Sequence, residues 1–305
     1  MSQILCIGDI MVDVVVQSDF DTKDFKYGSD TKSEIVMRGG GQAANVASWL
    51  TQVGIKPYLV ARVGPDEIGD LLIRELDQFG IAHSAKRITN SKTGMVVVLV
   101  DKSGERTMFP DSGANSGLGV SDLPELKGYK IAFISAYALI NLASRAGVLE
   151  IIKKLKTAQV KIVIDPASVG ALQSLPIEEV KEWLKHADVL IMNEAEAKYI
   201  SNQSNLESAI DLLSKMVEIV VVKVGANGAH AKMLSTATVF ASTNVKTAID
   251  STGAGDAFSA GFLAKYLSFL THGEAIDLMA TLRAGNELAG KCVAQIGARP
   301  LVAAP

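Results

Sequence analysis

Short apolar runs that alternate with longer segments of helical period constrain this chain more than any other feature. A strand buried on both faces reads as a continuous apolar run, and a helix must carry the chain back before the next strand can lie parallel. The runs at 4–7, 58–62, 131–135, 161–165, 189–192 and 219–224 read as strands. Residues 43–53, 66–79, 143–158, 178–186 and 206–216 read as the helices between them, and helices from 257 to about 270 and from 274 to about 293 close the chain. The expectation is a three-layer α/β/α fold around a mainly parallel central sheet.

Two segments break the rhythm. Residues 14–37 alternate polar and apolar side chains with many charges, and residues 93–109 read as two strands around an Asp101-Lys102-Ser103-Gly104 turn. Both suit antiparallel strands outside the main sheet. Placed after the first strand and the second helix, they predict a small antiparallel β lid over the C-terminal edge of the parallel sheet, where α/β folds bind ligands. Two decorative hairpins are the plainer alternative. The organisation expected is a discontinuous main domain of residues 1–13, 38–92 and 110–305 with a lid of 14–37 and 93–109, whose exposed strand edge suits a homodimer.

The bulk properties narrow the chemistry. With 305 residues, 48% of them hydrophobic, the chain can bury a large core. A net charge of −3 with interspersed signs leaves no patch for a run of phosphates, so nucleic acid is not an expected partner. Apolar runs such as 94–100 fall far short of the roughly 20 residues of a membrane span, and no basic segment leads into a signal core, so a cytoplasmic protein without a membrane partner is expected. Cys6 and Cys292 stand alone in apolar stretches, and His83, His186, His230 and His272 are far apart, which argues against disulfide and metal frameworks.

The chemistry-bearing stretch is Asp250-Ser251-Thr252-Gly253-Ala254-Gly255-Asp256. Gly253, Ala254 and Gly255 directly precede a strongly apolar helix, and amides at a helix start are unpaired donors that small residues let an anion approach. Asp256 beside that anion is placed to take a proton from an attacking hydroxyl. Positioning with charge stabilisation, and an oriented nucleophile, are what phosphoryl transfer asks of a protein. An aspartate N-cap on a glycine turn is the bland alternative. The run 285–291 imitates Walker A spacing, but Cys292 stands where Ser or Thr is required and the segment reads as helix interior.

These residues resemble the PfkB, or ribokinase-like, family of carbohydrate kinases across essentially the whole chain. Residues 250–258 match its C-terminal signature, Gly39-Gly40-Gly41-Gln42-Ala43-Ala44-Asn45 its N-terminal glycine signature, and Asn193-Glu194-Ala195-Glu196 its Asn-x-x-Glu. The resemblance implies a ribokinase-like fold, ATP with Mg²⁺, Asp256 as base and an anion hole at Gly253, Ala254 and Gly255. It implies that Asn193 and Glu196 act through water on magnesium and phosphate, although a helix cap and a solvated helix residue fit the same letters. Lys223, Gly225 and Gly228 match a loop that borders the nucleotide, and Lys223 suits either a phosphate or a salt bridge. Asp250 and Thr252 occupy positions that hold a monovalent cation such as K⁺ in some members, or else brace the turn. On the acceptor side it implies that Asp13, ending the first strand, grips sugar hydroxyls together with Gly40, Gly41 and Asn45.

The acceptor itself is less constrained. Gln42 stands where ribose-phosphorylating members carry lysine, and Ser135-Ala136-Tyr137-Ala138 stands where they carry a glutamate. Arg106 on the second hairpin suits an acidic or phosphorylated sugar, and Asp165-Pro166-Ala167-Ser168 follows a strand toward the pocket. Three readings follow: a kinase for a small sugar or sugar acid, a nucleoside kinase stacking its base on Phe109 or Tyr137, and a non-catalytic sugar or nucleotide sensor.

Overall fold

The computed structural model describes residues 3–18, 28–102, 106–245 and 247–301. The middle of the first expected lid segment (19–27), and Ser103 and Gly104 of the expected turn, lie outside the described residues. In chain order the strands are β1 Ile4–Ile7, β2 Met11–Ser18, β3 Ser33–Gly40, β4 Tyr58–Val60, β5 Arg62–Val63, β6 Ala82–His83, β7 Lys86–Arg87, β8 Gly94–Val100, β9 Arg106–Asp111, β10 Ile131–Ser135, β11 Lys161–Asp165, β12 Val189–Asn193, β13 Ile219–Lys223, β14 Gly228–Met233 and β15 Val239–Ser242. The helices are α1 Gln42–Thr51, α2 Glu67–Gln78, α3 Tyr137–Ile140, α4 Leu142–Thr157, α5 Val169–Leu172, α6 Ile177–Leu184, α7 Glu194–Ser201, α8 Leu206–Leu213, α9 Ala254–His272 and α10 Leu278–Val293.

The main sheet runs β15-β14-β13-β12-β11-β10-β1-β4-β6, parallel from β13 to β6. The antiparallel strands β14 and β15 extend one edge beyond what the apolar pattern suggested, because a short half-buried hairpin lacks a continuous apolar run. Alternation places Ile4 and Cys6 of β1 in one core layer with α1, α9 and α10, while Leu5 and Ile7 face the other with α4, α6 and α8. Each such fully buried aliphatic side chain stabilises the fold by roughly 1.5–3 kcal/mol. The imitation Walker segment lies inside α10, as expected, where Gly285 packs against the Phe258 ring.

The second sheet is ordered β3-β2-β8-β9. Both expected hairpins form, β2 with β3 and β8 with β9, each antiparallel, and they join along a parallel β2–β8 pair. These strands outrun the expected segments, beginning at Met11 and ending at Gly40 and Asp111. The expectation that Asp13 ends the first strand is therefore corrected: β1 stops at Ile7, and Asp13 is the third residue of β2.

Register fixes the two faces of this sheet. Arg38, Asp13, Val96 and Pro110 form one cross-strand row, and Met37, Val14, Val97 and Phe109 form the next. Successive rows point to opposite faces, so Phe109 and Asp13 are on opposite sides.

Candidate active site

The candidate residues converge at the C-terminal edge of the parallel strands. Asp165 ends β11, Asn193 ends β12 and Lys223 ends β13, while α9 brings its first turn, with Asp256, to the same edge. Helix α9 starts where Gly253 turns at φ +76°, a left-handed conformation in which any Cβ would also run into the Ala298 backbone. The first amides of α9 have no partner one turn back within the helix, which makes this end a donor site. The expectation that all three anion-hole amides are available needs one correction, since the Ala254 N–H donates to the Ser251 carbonyl at 3.2 Å.

Asp256 is held by Asn45, whose Nδ2 donates to Oδ2 at 2.8 Å. Burial raises its carboxyl to about 7, helped by the charges of Asp165 and Asp9 and opposed by the Asn45 hydrogen bond and the Lys223 ammonium. A carboxyl poised there exchanges protons near neutral pH, as a general base must.

Lys223 makes the salt bridge that the sequence allowed, and it also stands at the glycine turn. Its Nζ donates to Asp165 Oδ2 at 2.9 Å, and it stands 3.3 Å from where a Gly255 side chain would begin, over the start of α9. Burial alone would lower its pKa, but Asp165, Glu196 and Asp256 together raise it, so the ammonium keeps its charge. Asp165, at 2% exposure, also accepts from the Ala167 N–H at 3.0 Å, and Ala167 itself takes a left-handed φ of +79°. Gly225 opens a short turn at φ +59° after β13, and Gly228 opens β14 at φ +117°.

Asn193 caps α7, accepting from the Glu196 N–H at 2.9 Å while its own N–H donates to Glu196 Oε2 at 2.8 Å. The cap reading is thus borne out for Asn193, but the solvated reading of Glu196 is not, because Glu196 is 2% exposed. Burial and the nearby Asp165 push its carboxyl up to about 7, against Lys223 and the Asn193 hydrogen bonds. Asp165, Glu196 and Asp256 thus outnumber the one ammonium among them, an excess of negative charge that a hard, hydrated cation satisfies. Among the described residues no three such side chains are grouped as a direct ligand set.

On the acceptor side, Gly40 lies so close to Asp13 that a Cβ there would run into the carboxylate. Gly41 caps α1 with φ +93°. Burial lifts Asp13 to about 6, opposed by Arg299 and aided by Asp9. Tyr137 opens α3 and is partly exposed, its hydroxyl raised by burial and by the charges of Asp9, Asp165 and Glu196, with Ser168 acting the other way.

Arg299 was missed in the sequence. Buried near the C-terminus, it donates to Asn45 Oδ1 at 3.1 Å, to Glu75 Oε2 at 2.7 Å and to the Gly40 carbonyl at 2.6 Å. It thereby fixes which end of the Asn45 amide faces Asp256. Asp9 was also missed. It accepts from the Gln42 N–H at 3.4 Å, and burial raises its carboxyl. The signals available were an acid directly after the first strand and a lone arginine in an apolar tail.

Arg106 does not stand free for an acidic substrate: its Nη2 donates to Asp250 Oδ1 at 3.0 Å. That oxygen also accepts from the Thr252 N–H at 2.9 Å and hydroxyl at 2.5 Å, and Oδ2 accepts from the Gly297 N–H at 2.9 Å. Burial would raise Asp250, but these bonds and Arg106 hold it below the usual carboxylate range. Bracing describes Asp250 and Thr252 in this arrangement: three donors crowd Oδ1, one takes Oδ2, and Arg106 balances the charge.

The model of the pfkB family carbohydrate kinases matches residues 1–304. This chain belongs to that family. It is 28% identical over 271 residues to a fructokinase from Vibrio alginolyticus, covering 87% of this chain and 84% of that protein. Adenosine kinase from Sinorhizobium meliloti superposes with a TM-score of 0.85 at 21% identity, over 98% of this chain and 96% of the other. A double-mutant fructokinase from Vibrio cholerae O395, with fructose, ADP and a potassium ion bound, gives a TM-score of 0.80 at 24% identity, over 98% and 94%. As a pfkB-family member the chain has the ribokinase-like fold and is a phosphotransferase with an alcohol group as acceptor, in a family whose kinases use ATP. Among the described residues no helix is long and apolar enough to cross a membrane.

Proposed function

We propose that this pfkB-family kinase transfers the γ-phosphoryl group of ATP to a hydroxyl of a small, neutral sugar, with Asp256 as the base. The observation that carries the reading is Asp256 itself, buried at the start of α9 between Asn45 and the Lys223 ammonium. Asp256 takes the proton of the attacking hydroxyl as the oxygen closes on phosphorus. Lys223 and the amides of Gly253 and Gly255 stabilise the charge that develops on the phosphoryl oxygens. Gly225 and Gly228 would border the nucleotide, and Asn193 and Glu196 would hold magnesium through water. When bound, that ion neutralises phosphate charge.

Three features favour a neutral sugar. Asp9 and Asp13 line the acceptor side with hydrogen-bond acceptors for hydroxyls, joined by Asn45 and the backbone of Gly40 and Gly41. Arg106, the cation expected for a sugar acid, is neutralised by Asp250. Phe109, one of two aromatic candidates for stacking a nucleobase, is on the far face of the second sheet from Asp13, which leaves Tyr137 alone. A panel of sugars, sugar acids and nucleosides with ATP, read as ADP release, tests this. Turnover confined to nucleosides would overturn the sugar reading, and tight binding without turnover would point to a sensor.

Asp13→Ala is expected to raise the KM for the acceptor roughly 10- to 100-fold, the loss of about 1.5–3 kcal/mol of hydrogen bonding to a charged group. Normal steady-state kinetics with only a lowered melting temperature would instead assign Asp13 a structural role.

The second sheet acts as a lid over this site, excluding water from the transfer. Its far face exposes Ile35 (62%), Met37 (56%) and Phe109 (56%), side chains that a second copy of the chain covers in a homodimer. Light scattering should give twice the mass of one chain, reduced to one by Phe109→Asp with Met37→Asp. A monomeric native protein would contradict this.

A further inference from the structure

We propose that the lid arginines Arg106 and Arg38 supply at Asp250 and Gly297 the positive charge that a monovalent cation supplies in some ribokinase-like enzymes. Catalysis by this chain is then independent of that ion, and lid closure is latched directly to the anion hole. The inference rests on the kinase reading for its rate measurements, though not for its binding measurements.

A carboxylate offers about four lone-pair positions to donors. Asp250 receives four donors: the Thr252 N–H and hydroxyl, the Gly297 N–H and Arg106 Nη2. Three of these crowd Oδ1 and one takes Oδ2, so the carboxylate keeps at most one open lone pair, and its charge is already met by the Arg106 guanidinium. Independently, Arg38 Nη1 stands 2.7 Å from where a Cβ on Gly297 would begin, so a second guanidinium fills the space that this glycine, at φ +103°, leaves open.

The sheet register explains why both arginines arrive together. Arg38 lies on β3 in the Asp13 row, and Arg106 opens β9 four rows away, so both are on the face that carries Asp13. A guanidinium keeps its charge at any working pH and forms directed hydrogen bonds, and here it is tethered to the moving element instead of being drawn from solution. Thr252, held through Asp250, leads directly into Gly253. The lid is thereby joined to the loop that begins the anion hole, and its docking and the shape of that hole become one event.

The test compares the native enzyme with Arg106→Gln and Arg106→Lys in potassium, sodium and choline chlorides at equal ionic strength, reading acceptor-dependent rate and melting temperature. The native enzyme should give the same rate and the same melting temperature in all three salts. Arg106→Gln should lose about fivefold in rate in choline, the size of one partly exposed ion pair, and recover in potassium with a rise in melting temperature that choline does not produce. Arg106→Lys should remain salt-indifferent. Strong potassium activation of the native enzyme, or an Arg106→Gln variant that responds to no cation, would overturn the inference. Should no acceptor be turned over at all, the kinase reading fails, and the cation-dependent melting temperature of Arg106→Gln still decides the latch.

Discussion

Asp256→Asn should lower acceptor-dependent kcat by about 10² to 10⁴, the range for loss of a general base, while nucleotide affinity stays near that of the native enzyme. The substitution keeps shape and volume. Its amide can turn an oxygen toward Asn45 Nδ2, preserving the 2.8 Å contact that positions residue 256. What disappears is a site for the proton. Because burial holds the native carboxyl at about 7, well above an ordinary aspartate, the basic form is lost as pH falls through neutrality. Native kcat/KM should therefore rise with pH and level off above about 7, and the residual rate of Asp256→Asn should lack the rising limb that belongs to this group. A variant with native rate would remove Asp256 from the chemistry.

Arg299→Met should cost about 3–5 kcal/mol of unfolding free energy, the penalty for removing one partner of a buried ion pair. Methionine fills much of the volume, so the loss isolates charge and hydrogen bonds. Glu75, the Asn45 amide oxygen and the Gly40 carbonyl all lose their donor together. Asn45 then loses the contact that orients it toward Asp256, and Asp13 loses the cation that holds its carboxyl down, so the acceptor-side acid moves above about 6. Urea unfolding measures the first effect and the pH dependence of acceptor KM the second. A loss below about 1 kcal/mol would show that the arginine is a peripheral brace.

The sequence exposes those parts of the fold whose causes are local. Apolar runs located the parallel strands because each is buried on both faces, and the glycine turn before Asp256 was visible because a left-handed residue and a helix start occupy consecutive positions. The sequence offers Asp13 as a candidate site residue but puts it on the wrong strand, since Ile10-Met11-Val12 continues the apolar character of β1 across the bend at Gly8. The extra hairpin of β14 and β15 escaped for the opposite reason, its half-exposed strands mixing polar and apolar residues.

Long-range pairing was the least legible. Arg299 meets Asn45 across 254 positions and Arg106 meets Asp250 across 144, and no periodicity encodes such partners. From the sequence Arg106 suits a substrate anion, because a charged residue on a lid suggests a ligand. The carboxylate that neutralises it belongs to the other end of the chain. Lys223 and Glu196 fall between these cases: their motifs marked them, but only the assembled sheet edge shows that three carboxylates share one ammonium.

The most direct measurement is the mass of the acceptor recovered after incubation with ATP, magnesium and a sugar that stimulates ADP release. The account predicts one phosphate ester on the sugar for each ADP formed by the native enzyme. ADP without a phosphorylated sugar, or a sugar that binds tightly and is recovered unchanged, would contradict it.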